Sequence, residues 1–294
     1  MLSRVAPWLA SRKSELAGPV RVLVHEDTDA LQALVDRDAV ANVFMASVLG
    51  QHRSAVPAYS GVKILGHFDD DGELGAACWV GSNVVPIESD ADQARSFGRW
   101  IARDWSTHAS IFGPAVPVLA IFDELAEIGV TAHEVRANQP LLAIRCTPGY
   151  PANPMLETSQ IEQFTNILAA AAAMFEEEVG YSPFIGGEEN YRNRVASLIR
   201  QGHSLSHCDN DGNVIFKADL GAVSRDATQI QGVWLDPDYR GRGLSAGYMA
   251  AVVRLAQRQA PITSLYVNDY NVRARALYER VGFEQVGTFA TVLF

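Results

Sequence analysis

Two rhythms of apolar and polar positions, one of period two and one near 3.6, alternate along this chain and do so twice over. In residues 21–145, Val22–Val24 reads as a strand and Thr28–Val35 and Asn42–Leu49 as helices. Val62–Phe68 and Leu74–Val80 form a hairpin about Asp69-Asp70-Asp71-Gly72, and Asn83–Ile87 makes a further strand. Ala91–Asp104 is a helix with Ala94, Phe97 and Ile101 on one face; Ser110–Phe112, Val118–Ile128 and Leu141–Ile144 follow as strand, helix and strand. Asn138-Gln139-Pro140 and Gly81-Ser82-Asn83 read as turns or loops. The pattern breaks at Cys146–Thr158, where Pro148, Gly149, Pro151, Asn153 and Pro154 oppose any regular element.

The second half repeats the layout. Ile161, Phe164, Leu168, Ala171 and Phe175 lie at helical spacing, and Glu176-Glu177-Glu178 closes that helix as a solvated surface. A loop at Tyr181–Gly187 leads to a second helix marked by Tyr191, Val195, Leu198 and Ile199. His203–Cys208 and Asn213–Val223 form a hairpin, and Ala227–Leu235 completes an antiparallel set. A helix over Leu244–Arg258, a strand over Thr263–Asn268, a helix over Asn271–Val281 and a strand in Phe283–Phe294 end the chain.

Between Ala227–Leu235 and the next helix stands Asp236-Pro237-Asp238-Tyr239-Arg240-Gly241-Arg242-Gly243, a strand-to-helix turn with two glycines two apart. Helix N-termini carry unpaired N–H groups and partial positive charge, and glycines admit phosphates close to that backbone. The turn is therefore expected to bind a pyrophosphate. It lacks the third glycine of a dinucleotide fingerprint and the Gly-Lys-Ser/Thr of a P-loop. Arg240-Gly241-Arg242-Gly243-Leu244-Ser245 resembles instead the Arg/Gln-x-x-Gly-x-Gly/Ala signature of the GNAT superfamily of acyl-CoA-dependent N-acyltransferases, with Ser245 departing at the last position. Asn271-x-x-Ala274-x-x-Leu277-Tyr278-x-x-x-Gly282-Phe283 is similar to a second block of that superfamily.

The resemblance implies an α/β (α+β) fold of two tandem GNAT-like domains, each a mixed, mostly antiparallel sheet flanked by helices. Residues 1–20 are then an N-terminal extension, 21–146 a degenerate front domain, 147–158 a linker and 159–294 the acetyltransferase domain. The front domain has Glu88-Ser89-Asp90-Ala91 where a phosphate loop would stand, and carboxylates repel pyrophosphate. The resemblance also implies that the strand before the glycine turn and the strand after its helix splay apart around coenzyme A.

Composition changes this picture little. Of 294 residues, 48% are hydrophobic and 20% charged, an ordinary folded chain long enough for two domains. A net charge of -10 argues against nucleic acid and suits a cationic amine. Cys78, Cys146 and Cys208 lie far apart without metal spacing, as buried free thiols of a reducing compartment. The first residues lack a secretory apolar core and Leu168–Phe175 is too short to span a bilayer, so a cytoplasmic location without membrane contact is expected.

Amine acylation by a thioester needs a neutral amine, a polarised carbonyl and a proton for the departing thiolate. By resemblance, the backbone of Val233, Trp234 and Leu235 binds the pantetheine arm and polarises the carbonyl, while Arg240, Gly241, Arg242, Gly243, Leu244 and Ser245 hold the pyrophosphate. Tyr278 is the resembling motif's acid. Asn271 caps its helix and stands near the pantetheine. The superfamily often supplies a glutamate base on the strand before the turn, where this chain has Gln229 and Gln231. Asp219 is the first substitute, ahead of Glu188 and Glu189; His203 and His207 lie on a hairpin rim. The expected activity is transfer from acetyl-CoA to a small-molecule or protein amine. The rival is a regulatory module that binds the coenzyme without turnover.

Overall fold

The computed structural model describes residues 18–106, 108–185 and 187–294; the N-terminal extension falls mostly outside them. The chain divides into two compact units, one running to Gln139 and adding Phe289–Phe294, the other spanning Pro140–Thr288.

The first unit contains strands β1 (Val20–Val22), β2 (Lys63–Phe68), β3 (Leu74–Val80), β4 (Asn83–Ile87) and β5 (Ser110–Pro114), with helices α1 (Thr28–Val35), α2 (Val43–His52), α3 (Ala91–Ala102) and α4 (Ala115–Glu127). Its sheet runs β1-β2-β3-β4-β5 and is closed by residues 289–293 of the last strand, β12 (Glu284–Leu293), antiparallel to β5. All these pairings are antiparallel except β4 with β5. Apolar residues two apart on the strands meet the stripes of α3 and α4 on one face, around Phe97, Ile111 and Ile121, and those of α1 and α2 elsewhere, around Leu31, Met45 and Trp79.

The second unit holds the end of β6 (Glu134–Ile144), then β7 (Glu157–Thr158), α5 (Phe164–Val179), α6 (Glu188–Arg200), β8 (Ser204–Cys208), β9 (Val214–Val223), β10 (Ala227–Leu235), α7 (Ser245–Ala256), β11 (Ile262–Tyr266) and α8 (Val272–Val281). Its sheet order is β6-β11-β10-β9-β8-β7, antiparallel apart from β10 with β11. Phe216, Ala218, Leu220 and Ile230 face the cluster of α7 and α8, while Val214 and Trp234 join that of α5 and α6.

Several expectations shift. β1 lies two residues earlier than Val22–Val24. α4 starts at Ala115 rather than Val118, because Pro117 falls in the first turn, where no intrahelical N–H is required. Asn138-Gln139-Pro140 is not a loop but the middle of β6, and buried Gln139 accepts from Thr291 Oγ1 at 2.7 Å. The cysteines are free as expected, but only Cys78 is buried; Cys146 is exposed. No helix among the described residues is long and apolar enough to cross a membrane.

Candidate active site

β10 and β11 pair only over Ala227–Gln229 and Ile262–Ser264, yet they continue to Leu235 and Tyr266. Beyond Gln229 no ladder pairing joins them, as splayed strands require, and Val233, Trp234 and Leu235 lie on that unpaired stretch of β10. The same strand carries a bulge: its register against β9 slips between Gln231 and Trp234, at Gly232 with φ +59. A bulge adds a residue to one strand and re-aims the side chains beyond it.

Below the bulge sits a cation that sequence reasoning missed. Lys217 is fully buried, and its Nζ donates to Asp219 Oδ2 at 2.6 Å and to the Gly232 carbonyl at 3.2 Å. Asp219, opposite Gln231 on β9, is thus half of an ion pair. A lysine in a strand ordinarily reads as solvent-facing; the available signal was Lys217 and Asp219 two apart on one face, together with a glycine inside the next strand.

The turn after β10 is built locally. Asp236 accepts from the Asp238 N–H at 2.8 Å, and the N–H groups of Tyr239 and Arg240 bond to Asp236 and Pro237 carbonyls. Gly241 and Gly243 then take φ +76 and +74, with nothing within 4 Å of where a Cβ would stand. α7 starts without a side-chain cap, and among the described residues no partner takes the N–H groups of residues 241–247; the first bond is Tyr248 N–H to Leu244. Left-handed glycines and free N–H groups at a helix N-terminus make an anion cradle.

Arg240 does not face this cradle. Its Nε donates to the Leu235 carbonyl at 2.9 Å and its Nη2 to both Glu177 oxygens at 3.0 and 2.8 Å. Glu177 also accepts from Trp234 Nε1 at 3.3 Å, so this carboxylate ties the end of α5 to the crevice edge instead of standing as solvated surface. Arg242 remains exposed, its guanidinium 5.1 Å from the Tyr239 ring.

Tyr278 on α8 is buried, packs on Phe283, and gives its hydroxyl no hydrogen-bond partner among the described residues. Burial first, and the Glu178 charge second, push its pKa up to about 12. Asn271 caps α8 as expected, its Oδ1 accepting from the Ala274 N–H at 3.1 Å. Glu188 pairs instead with Arg192 on the exposed side of α6, and His207 engages Tyr248; burial lowers the pKa of His203 and of His207.

In the first unit the parallel ladder of β4 and β5 also stops early, bonding only over Asn83–Val84 and Ser110–Ile111, but beyond it Gly113 on β5 stays against Pro86 on β4. There the helix N-terminus is taken: Asp90 accepts from the Asp92 and Gln93 N–H groups at 2.9 and 2.8 Å, and Gln93 reaches back to the Asp90 N–H. Glu88, at φ +50, is held by the buried Asn42.

Residues 171–283 match the profile of the acetyltransferase (GNAT) family, and residues 62–167 match a domain of unknown function, DUF4081. The acetyltransferase match lies wholly within the second unit. Solved structures share the fold over nearly the whole length. A Drosophila protein is 15% identical with a TM-score of 0.66, covering 95% of this chain and 99% of that one. A GCN5-related N-acetyltransferase from Sphaerobacter thermophilus is 16% identical at TM-score 0.57, covering 93% and 94%. A tandem GNAT protein from the clavulanic acid biosynthesis pathway is 13% identical at TM-score 0.52, covering 92% and 97%. No curated protein matches the sequence.

Proposed function

We propose that this chain transfers an acetyl group from acetyl-CoA to an amine by direct attack in a ternary complex. The observation that carries the reading is the conjunction of parted β10 and β11 with the uncapped glycine turn at the same end of β10. A coenzyme pyrophosphate fits that turn, because a Cβ at Gly241 or Gly243 would fill the space left open and no described residue takes the N–H groups of residues 241–247. Arg242 adds a cation, Leu244 and Ser245 open the helix, and the Ser245 hydroxyl supplies one more donor. Arg240 acts through Glu177 to brace the turn.

Acetyl-CoA supplies the activated acyl group. The backbone of Val233, Trp234 and Leu235 orients the pantetheine arm and donates to the carbonyl oxygen, while Asn271 holds α8 at the crevice. The amine nitrogen bonds to the carbonyl carbon as the carbon–sulfur bond breaks; the amine's proton passes to solvent, the sulfur receives one from the Tyr278 hydroxyl, and solvent returns a proton to Tyr278. Tyr278 suits this role because burial keeps it protonated at neutral pH. Residues 21–146 are read as a degenerate GNAT-like domain ahead of the acetyltransferase domain at 159–294, in a cytoplasmic protein.

A second reading, a coenzyme-binding regulatory module without turnover, is favoured by one feature: Gln229 and Gln231 stand where a base was expected, and Asp219 is tied to Lys217. Release of free thiol from acetyl-CoA across a panel of amines supports transfer. Coenzyme binding without thiol release from any of them supports the module.

A further inference from the structure

The sheet face toward α5 and α6 carries Lys217, Asp219, Gln229 and Gln231, while the opposite face carries Phe216, Ala218, Leu220 and Ile230. Polar side chains in the buried middle of a sheet are not explained by packing. Two of them cancel, since Lys217 and Asp219 are paired. Gln231 Oε1 accepts from Arg194 Nη2 at 3.3 Å, and the Arg194 guanidinium has no carboxylate partner among the described residues. Gln229 is only 8% exposed, and its Nε2 is buried with no hydrogen-bond partner among the described residues. It is also the last residue of β10 paired with β11, at the point where the crevice opens.

Arg194 lines a recess of about 290 Å³ with Pro183, Ile185, Asn190 and Tyr191 and no carboxylate. The Tyr191 hydroxyl is already spent as a donor on the Ala171 carbonyl at 2.8 Å. Arg194 at the recess and Gln229 behind it on β10, two residues from the Gln231 that Arg194 bonds and roughly 7 Å by strand rise, offer a planar cation and a buried, unsatisfied amide donor. Arg194 is the charged residue that lines this recess, although the Asp219 charge also reaches its Tyr191. That lining cation disfavours a polycationic acceptor. A guanidinium fork and a second N–H donor match the oxygens of a carboxylate.

We infer that the acceptor is a small amine bearing a carboxylate, of the amino-acid class, bound through that carboxylate by Arg194 and Gln229 with its amine toward the parted strands. The location of the amine rests on the acyl-transfer reading; the carboxylate site does not.

The test separates the two. With the full chain saturated in coenzyme A, saturation-transfer NMR is recorded on the α-amino acids, their carboxamides, phosphoethanolamine and spermidine, and thiol release from acetyl-CoA is measured separately with the same compounds. The expected result is binding of one or more amino acids, with the matching carboxamide at least about 10-fold weaker, as loss of a charge-assisted contact implies. Arg194→Gln should weaken that binding about 10- to 100-fold with unchanged affinity for coenzyme A, and Arg194→Glu should turn the preference toward the carboxamide. Arg194 is exposed on α6, so both variants should keep the wild-type circular dichroism spectrum. The inference is overturned if spermidine, phosphoethanolamine or carboxamides bind as well as or better than every amino acid, if none of the compounds binds, or if Arg194→Gln changes nothing. Amino-acid binding without thiol release would uphold this site and defeat the acyl-transfer reading instead.

Discussion

At Tyr278 the relevant physics is burial. A phenol with an ordinary pKa near 10 is pushed up to about 12, so its proton is retained throughout the range in which amines become nucleophilic. Tyr278→Phe should lower kcat by roughly 10²-fold, the low end for general acid catalysis because a thiolate is already a fair leaving group, with coenzyme affinity unchanged. Wild-type kcat should show no alkaline fall below about pH 11; a fall near pH 9 that vanishes in the phenylalanine variant would assign the hydroxyl an earlier ionisation and sink the proposal. The same shift bears on stability. A folded pKa above the unfolded one favours the native state fully below pH 10, and that contribution is lost between pH 10 and 12 as the unfolded chain ionises. Alkaline unfolding should therefore affect Tyr278→Phe less than wild type. At Lys217 the physics is pairing. Lys217→Met leaves Asp219 as an unpaired buried charge and should cost about 3–5 kcal/mol in urea unfolding. Lys217→Met with Asp219→Leu should recover most of that stability but not kcat, because the Gly232 carbonyl would still lack its donor. Full recovery of both would reduce the ion pair to a stability device.

Among the elements, α7 and α3 begin in the same way in their units, each after a strand whose parallel ladder ends early, and differ in what occupies the helix N-terminus. Asp90 fills the end of α3, whereas the end of α7 is open behind Gly241 and Gly243. Gly243→Ala should weaken coenzyme binding through the strain of a Cβ at φ +74, of order 1–3 kcal/mol; Gly243→Asp should abolish it by adding charge against phosphate. Unchanged coenzyme affinity in the aspartate variant, with its fold confirmed by circular dichroism, would exclude the turn. This turn was legible in the sequence because its chemistry lies in consecutive backbone groups set by two glycines. So was the Asn271 cap, which needs only Ala274 three residues on. The Lys217, Asp219 and Gly232 cluster was not, since its members sit on neighbouring strands whose register only the folded sheet defines. Arg240 was legible as part of a motif but not in direction: its partner Glu177 is 63 residues away, and a glutamate run at a helix end reads as solvated until something cationic reaches it. Strand β6 was half hidden because Pro140 reads as a breaker, yet its carbonyl still accepts from the Val267 N–H.

For the whole molecule the question is how many coenzymes one chain holds. Each unit has a parallel strand pair whose ladder ends early and a helix that follows, so topology alone allows two. Chemistry separates them. In the first unit the N–H groups at the start of α3 are already bonded to Asp90, with Glu88 held just before it by Asn42, so a phosphate would displace a bonded carboxylate and approach another. Gly113 on β5 also lies against Pro86 on β4, where an added Cβ would be 3.6 Å from the proline ring. In the second unit no described residue bonds to the N–H groups of residues 241–247. Titration calorimetry of the intact chain with coenzyme A should therefore give a stoichiometry near one, lost in Gly243→Asp and unaffected by Asp90→Ala, whose cost should be only about 1 kcal/mol of stability from the missing cap. A stoichiometry near two would show that the first unit binds the coenzyme despite its carboxylates. One site surviving Gly243→Asp but lost in Asp90→Ala would move the coenzyme to the first unit altogether.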